Sequence, residues 1–146
     1  MTMRWSKELS RTDAQEETLG YKVPYIRLTR SGSHHDTQTW FRDVFFDIAN
    51  WQQGFFGEHP VEEAHVDFQV TILGQNRGVR QLLVTHDGTR QNNNNTPNSW
   101  VHYDDVLRAG FDAQNLAGAY IVIERHNNNT YHLTIQAAAP NPRHLP

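Results

Sequence analysis

The sequence predicts a mainly β protein, a small barrel of about six or seven antiparallel strands with two short helices. Three observations carry that expectation. Short apolar or alternating runs recur between turn signals, most clearly at Ala64 to Leu73. There Val66, Phe68, Val70 and Ile72 share one face, and His65, Asp67, Gln69 and Thr71 the other. Helical spacing is confined to two segments. Finally, aromatic residues make up 11% of a chain that is only 37% hydrophobic, which argues against disorder, and 146 residues are enough for one domain with a real core.

The elements follow in order. Met3 to Leu9 alternates loosely and forms a first strand. Ser10 to Gly20 is a polar loop in which Asp13, Glu16 and Glu17 face a single cation, Arg11. Lys22 to Thr29 is a second strand, with Val23, Tyr25, Ile26 and Leu28 apolar. Arg30 to Gln38 is a polar loop containing His34, His35 and Asp36. Trp40 to Trp51 has apolar residues at 40, 41, 44, 45, 48 and 51, a helical spacing that makes Trp40, Phe41, Phe45, Phe46 and Trp51 core, with Arg42 structural. Phe55 to Pro60 is a loop bounded by Gly and Pro. The alternating strand Ala64 to Leu73 turns through Gly74 to Gly78 into Val79 to Val84. Beyond the polar stretch Thr85 to Asn98, Tyr103 to Phe111 is a short helix. Val106, Leu107 and Phe111 face in, and Asp104 and Asp105 suit its N-terminal end. Asp112 to Gly118 turns the chain. Ala119 to Arg125, a hairpin tip at Asn127 to Asn129, and Tyr131 to Gln136 complete the pattern. Ala137 to Pro146 is a Pro-rich tail or linker. There is no internal repeat.

Composition bounds the function. The chain has no cysteine, so disulfides, thiol chemistry and Cys-ligated zinc are excluded. The first ten residues carry no apolar leader core, and no run reaches membrane-spanning length, so a reducing intracellular compartment is the expectation. A net charge of -3 counts against a non-specific nucleic-acid coat protein. A specific reader with local cations remains open, because the field at the site matters more than the total.

Residues 85 to 100 are the most informative stretch. Before Trp100 they hold no large apolar side chain, one charge of each sign (Asp87 and Arg90), and Gln91 followed by Asn92, Asn93, Asn94 and Asn95. Amide side chains present a donor beside an acceptor, and Arg a rigid donor fork, the groups that read base edges in the DNA major groove. The plain alternative is an Asn-rich surface loop, since Asn favours turns.

A resemblance sharpens the reading. Trp5-Ser-Lys7-Glu8-Leu9-Ser10-Arg11-Thr12-Asp13 resembles the opening of the DNA-binding domain of plant B-three transcription factors. A strand, a short helix, a long hairpin, a polar loop, Trp100 and a second short helix follow in that family's order. Asn115-Leu-Ala-Gly118 before Tyr120-Ile-Val-Ile is similar to its pre-strand turn. Tyr25-Ile-Arg-Leu-Thr-Arg-Ser-Gly, with Trp40-Phe-Arg-Asp-Val-Phe-Phe, resembles the bacterial branch more closely, the specificity (effector) domains of restriction endonucleases. The resemblance covers roughly residues 3 to 136. It implies a seven-stranded open pseudobarrel with two short α-helices over residues 1–136, followed by the tail at 137–146. It also implies a non-catalytic recognition module of a type II restriction endonuclease in the bacterial cytoplasm. The partners are then double-stranded DNA and a nuclease domain or subunit, with no cofactor. Two arms, Ser10 to Lys22 and Thr85 to Asn98, would grip the major groove.

Carried onto this chain, the backbone anchors are Arg11, Lys22, Arg27, Arg30, Arg80 and Arg90, because cations there displace counterions condensed on phosphate. The base readers are Gln15, Gln91, Asn92, Asn93, Asn94 and Asn95. Ser10, Thr12, Asp13, Glu16, His86, Asp87 and Thr89 complete the two arms. The departure from the family is charge: Asp13, Glu16 and Glu17 must pair internally, accept from a cytosine amino group, or point away.

Two other readings stand beside this one. Nine histidines, with His34, His35 and Asp36 near Asp43, suggest a metal-dependent hydrolase or nuclease on a small β-barrel, and His86 with Asp87 a base. Against this, no helix carries a His-x-x-x-His pair, and there is no nucleophile elbow or Gly-rich phosphate loop. The third reading is a protein-interaction module. Asn94-Asn-Thr96 and Asn128-Asn-Thr130 match glycosylation acceptors, read as chance in a chain without a leader.

Overall fold

The computed structural model describes residues 2–11, 13–15, 24–28, 40–88 and 99–139. They are mainly β. Eight strands form one open, curled half-barrel: β1 (Met3–Glu8), β2 (Tyr25–Arg27), β3 (Gln52–Phe56), β4 (His59–Ile72), β5 (Gln75–His86), β6 (Ser99–His102), β7 (Tyr120–Arg125) and β8 (Tyr131–Gln136). The strand order is β1-β7-β8-β4-β5-β6-β2, with β3 on the N-terminal half of β4. One helix, α1 (Asp105–Ala113), and one wide helical turn at Phe41–Phe45 complete the elements. No helix among the described residues is long and apolar enough to cross a membrane.

The alternating strand read from the sequence is the spine of the sheet. Ala64, Val66, Phe68, Val70 and Ile72 of β4 all face in. Ile26, Leu82, Val84, Val101, Ile121, Ile123, Leu133 and Ile135 join them from the other strands, and Trp5 from β1. The curl is plugged by Phe41, Phe45 and Phe46 from the helical turn and by Leu107 and Phe111 of α1. The helix sits close. A Cβ on Gly110 would lie 2.9 Å from Ile72 Cδ1, so a larger residue there would require the Ile72 side chain to shift. The N-cap Asp104 accepts the Leu107 N–H at 3.0 Å, as its place before the apolar run implied.

Four features differ from the expectation. The strand read at Ala64 begins earlier, at His59, and pairs there with β3, where a loop was expected. Gly57, at φ +64°, makes the tight turn between them. A Cβ on Gly54 would meet the Glu63 carboxylate, so a side chain there would require Glu63 to swing away from β3. Second, β3 brings the count to eight strands among the described residues. Third, β8 runs parallel to β4, from Phe68↔Tyr131 to Ile72↔Ile135, where an all-antiparallel barrel was expected.

Last, the helix expected over Trp40 to Trp51 is a single turn, closed by the Phe46 N–H on the Phe41 carbonyl at 2.8 Å. Its last two carbonyls are taken by side chains from other strands. Arg125 Nη1 donates to Val44 O (2.8 Å) and Phe45 O (3.2 Å), and Tyr131 Oη to Phe45 O. Acceptors already occupied by side chains from β7 and β8 cannot propagate the helix. The polar loop at 30–38 and most of the tail lie outside the described residues.

Candidate nucleic-acid interface

Two polar loops frame one short ribbon. The first joins β1 to β2 and the second joins β5 to β6. The strand β6 pairs with β5 on one side and β2 on the other. The second loop is rooted at the pair His86↔Ser99, at the start of β6. The first returns to the sheet at Tyr25, opposite His102 at the end of β6. The loops therefore leave opposite ends of β6, a four-residue strand. Three steps at about 3.3 Å separate those ends by roughly 10 Å.

The near part of the first loop is built by reciprocal capping. Ser10 N–H donates to Asp13 Oδ2 at 3.0 Å, and Asp13 N–H donates to Ser10 Oγ at 3.1 Å. The same carboxylate meets Lys7 Nζ at 2.9 Å, and Tyr103 Oη donates to the Asp13 carbonyl at 2.9 Å. Burial and the nearby Asp13 charge hold the Tyr103 phenol well above its ordinary range, so it remains a donor. Asp13 is thus the acid that pairs internally. It is 6% exposed and Gln15 is 3% exposed, so both lie inside the loop and shape it. Ser10 and Arg11 are exposed. Thr12, Glu16 and Lys22 lie outside the described residues.

The root of the second loop is equally closed. His86 is 1% exposed, and its Nδ1 lies 2.9 Å from Ser99 Oγ across the ribbon. Desolvation lowers its proton affinity, the largest of several effects. Asp87 is 3% exposed and its Oδ2 lies 2.8 Å from His59 Nε2. His86 and Asp87 therefore hold the root from within. Thr89, Arg90, Gln91, Asn92, Asn93, Asn94 and Asn95 lie outside the described residues, as do Arg30 and the His34, His35 and Asp36 group.

The face of the ribbon opposite Ile26 and Val101 carries Tyr25, Arg27, Trp100 and His102, with Thr85 beside them. Arg27 is exposed, its guanidinium 5.8 Å from the Tyr25 ring centre, and among the described residues no carboxylate pairs with it. His102 Nε2 lies 2.9 Å from Thr85 Oγ1, and its ring touches Tyr25 (5.7 Å) and Phe56 (5.3 Å). Burial pushes its pKa down to about 4, so it is neutral at pH 7. Arg80 is placed elsewhere: its Nε lies 2.7 Å from Asp104 and its Nη2 3.1 Å from Asp105. Those contacts raise its pKa, the Asp104 hydrogen bond most, and commit it to the start of α1. Arg42 is structural as expected, bound to Glu62 and stacked on Trp51 at 4.9 Å.

Of the expected contact residues, the structure brings Ser10, Arg11 and Arg27 to the surface around the ribbon. Sequence reasoning missed His59, Phe56, Ser99 and His102. The signal for the first two was the aromatic and the histidine astride Gly57, which a loop reading hid. Among the described residues no group of three His, Cys, Asp or Glu side chains is arranged to hold a metal ion. A shallow cavity of about 310 Å³ beside Asp47, Arg125, His126 and Asn129 is the other concavity of note. There Arg125 is spent on Val44, Phe45, Asp47 and Asn129.

No family model, no curated protein and no solved structure matches this chain.

Proposed function

We propose that this chain is a sequence-specific reader of double-stranded DNA whose two polar loops enter the major groove from either end of the β2–β6 ribbon. The observation that carries the reading is where the Asn-rich segment leaves and rejoins the sheet. Its root is closed by buried polar pairs, and the other polar loop re-enters the sheet at the opposite end of the same four-residue strand. The roughly 10 Å between those ends is close to the ~12 Å width of the major groove. Gln91 and the four asparagines supply paired donors and acceptors for base edges, and Arg90 a donor fork. Arg11 and Arg27 are the phosphate contacts that set register.

The balance of charge fits a specific reader better than a sequence-blind one. A net charge of -3 gives little long-range attraction to DNA, so binding rests on local cations and base contacts. In this reading the chain is the recognition module of a restriction endonuclease of the bacterial cytoplasm, and cutting belongs to a separate nuclease domain or subunit.

The test is selection from a random duplex pool, followed by gel shifts of the enriched duplex at two salt concentrations. Enrichment of a defined site, bound but uncut in Mg²⁺, is the expected result. A pool that stays random refutes the reading.

A further inference from the structure

The β3–β4 hairpin reaches past the sheet at the root of the second loop. Glu62 of β4 pairs with His86, the last residue of β5, so His59 lies three residues farther out, level with the start of the loop. At that level Asp87 carries a carboxylate that is only 5% exposed. A buried carboxylate needs a partner, and His59 provides one from a different strand pair, Nε2 to Oδ2 at 2.8 Å. On the returning side, Trp100 is 5% exposed, and the Phe56 ring packs on it at 5.5 Å, as well as on Tyr25 at 5.2 Å. Phe56 and His59 are cross-strand partners, the rung that closes on the Gly57–Glu58 turn. A single rung of one hairpin thus contacts both roots of the loop, while His86 and Ser99 tie the roots to each other.

We propose that this rung is a brace, with His59 and Phe56 as positioning residues that hold the second loop for base reading. The inference rests on the DNA-binding reading above. Ordering a polar loop on DNA costs conformational entropy that subtracts from affinity. Fixing both roots removes part of that cost before binding. The brace touches no DNA itself.

The test uses His59→Ala and His59→Gln, since the His59 side chain is 54% exposed and its loss leaves the core intact. The glutamine side chain can donate to Asp87 in place of the imidazole. Two readouts are taken. In the first, competition binding compares the duplex selected from a random pool with random duplex. His59→Ala should lower their affinity ratio about tenfold, equivalent to about 1.4 kcal/mol, with random-duplex affinity unchanged. His59→Gln should restore most of the ratio. In the second, without DNA, amide hydrogen exchange at Asp87, Gly88 and Ser99 should quicken in the alanine variant and recover in the glutamine variant. An alanine variant whose root exchange and discrimination both match wild type overturns the brace and leaves DNA reading intact. A loosened root with unchanged discrimination overturns the positioning role. Wild-type protein that selects no duplex overturns the DNA reading and the brace's purpose with it.

Discussion

Acidification should loosen the ribbon between the two loops, and His102 sets the size of the effect. In the folded protein its ring is packed between Tyr25 and Phe56 beside Thr85, and burial holds its pKa at about 4. In the unfolded chain a histidine takes up its proton near 6.5. The fold therefore favours the neutral ring. That contribution is fully present above pH 6.5, is lost progressively as the pH falls, and is gone below about 4. Each pH step in that window costs about 1.4 kcal/mol, so His102 withdraws at most about 3 kcal/mol. Allowing for the water that reaches a half-buried ring brings this to about 2 kcal/mol. Burial also lowers the pKa values of His86 and His132, which act in the same direction.

A variant isolates the term. His102→Phe keeps an aromatic ring against Tyr25 and Phe56 but cannot titrate. It leaves the buried Thr85 hydroxyl without its partner, at about 1–3 kcal/mol, yet that cost is the same at every pH and cancels in a pH difference. Urea unfolding at pH 7.5 and pH 4.5, followed by tryptophan fluorescence, gives the loss for each protein. Wild type should lose about 2 kcal/mol more than the variant over that interval. Equal losses in the two proteins would refute the claim that His102 is held neutral by its surroundings.

Other perturbations separate contact residues from scaffold. Asp13→Asn should cost about 1–2 kcal/mol and lower the melting temperature, because it weakens the reciprocal cap with Ser10 and removes the Lys7 pair; calorimetry reads it. Arg27→Ala should weaken binding about equally on all sequences and reduce the salt slope by about 1, whereas Arg80→Ala should leave the slope alone and lower thermal stability, since Arg80 serves α1. A Gly-Ser replacement of residues 91–94 should abolish preference for the selected site, keep weak salt-sensitive binding and leave the circular dichroism unchanged. Preference retained by that folded variant would move base reading elsewhere.

What was legible in the sequence was what period and local chemistry encode. The alternation of Val66, Phe68, Val70 and Ile72 marked β4, and Asp104 ahead of Val106, Leu107 and Phe111 marked α1. The fold class followed from many such short signals. The losses have physical causes. The strand β3 opens Gln-Gln-Gly, with no apolar alternation to announce it, and its stability comes from pairing with β4. The parallel pairing of β8 with β4 is a choice of neighbour that no local pattern records. The apolar spacing around Phe41 to Phe45 did signal burial, but Arg125 and Tyr131, distant in sequence, took the carbonyls that would have extended the helix.

The site divides in the same way. Arg11 and Arg27 are exposed, while Asp13, His86 and Asp87, assigned to the two arms through the resemblance, are buried. Each is buried because a partner from another element satisfies it: Lys7, Ser99 and His59 respectively. The Ser10-x-x-Asp13 spacing did hold the clue, since it is a local capping pattern. The ties to Ser99 and His59 carried no such signal, because they exist only once the ribbon and hairpin have formed.

Competition binding shows whether the two loops read a duplex sequence. Purified protein is bound to a labelled duplex enriched from a random pool, then challenged with unlabelled enriched and random duplex at low and at moderate salt. The enriched duplex should be preferred by at least ~10³ at moderate salt. Sequence reading also requires a salt slope no steeper than its few arginine–phosphate contacts allow. Equal competition by random duplex at both salts, or no binding at either, would contradict it.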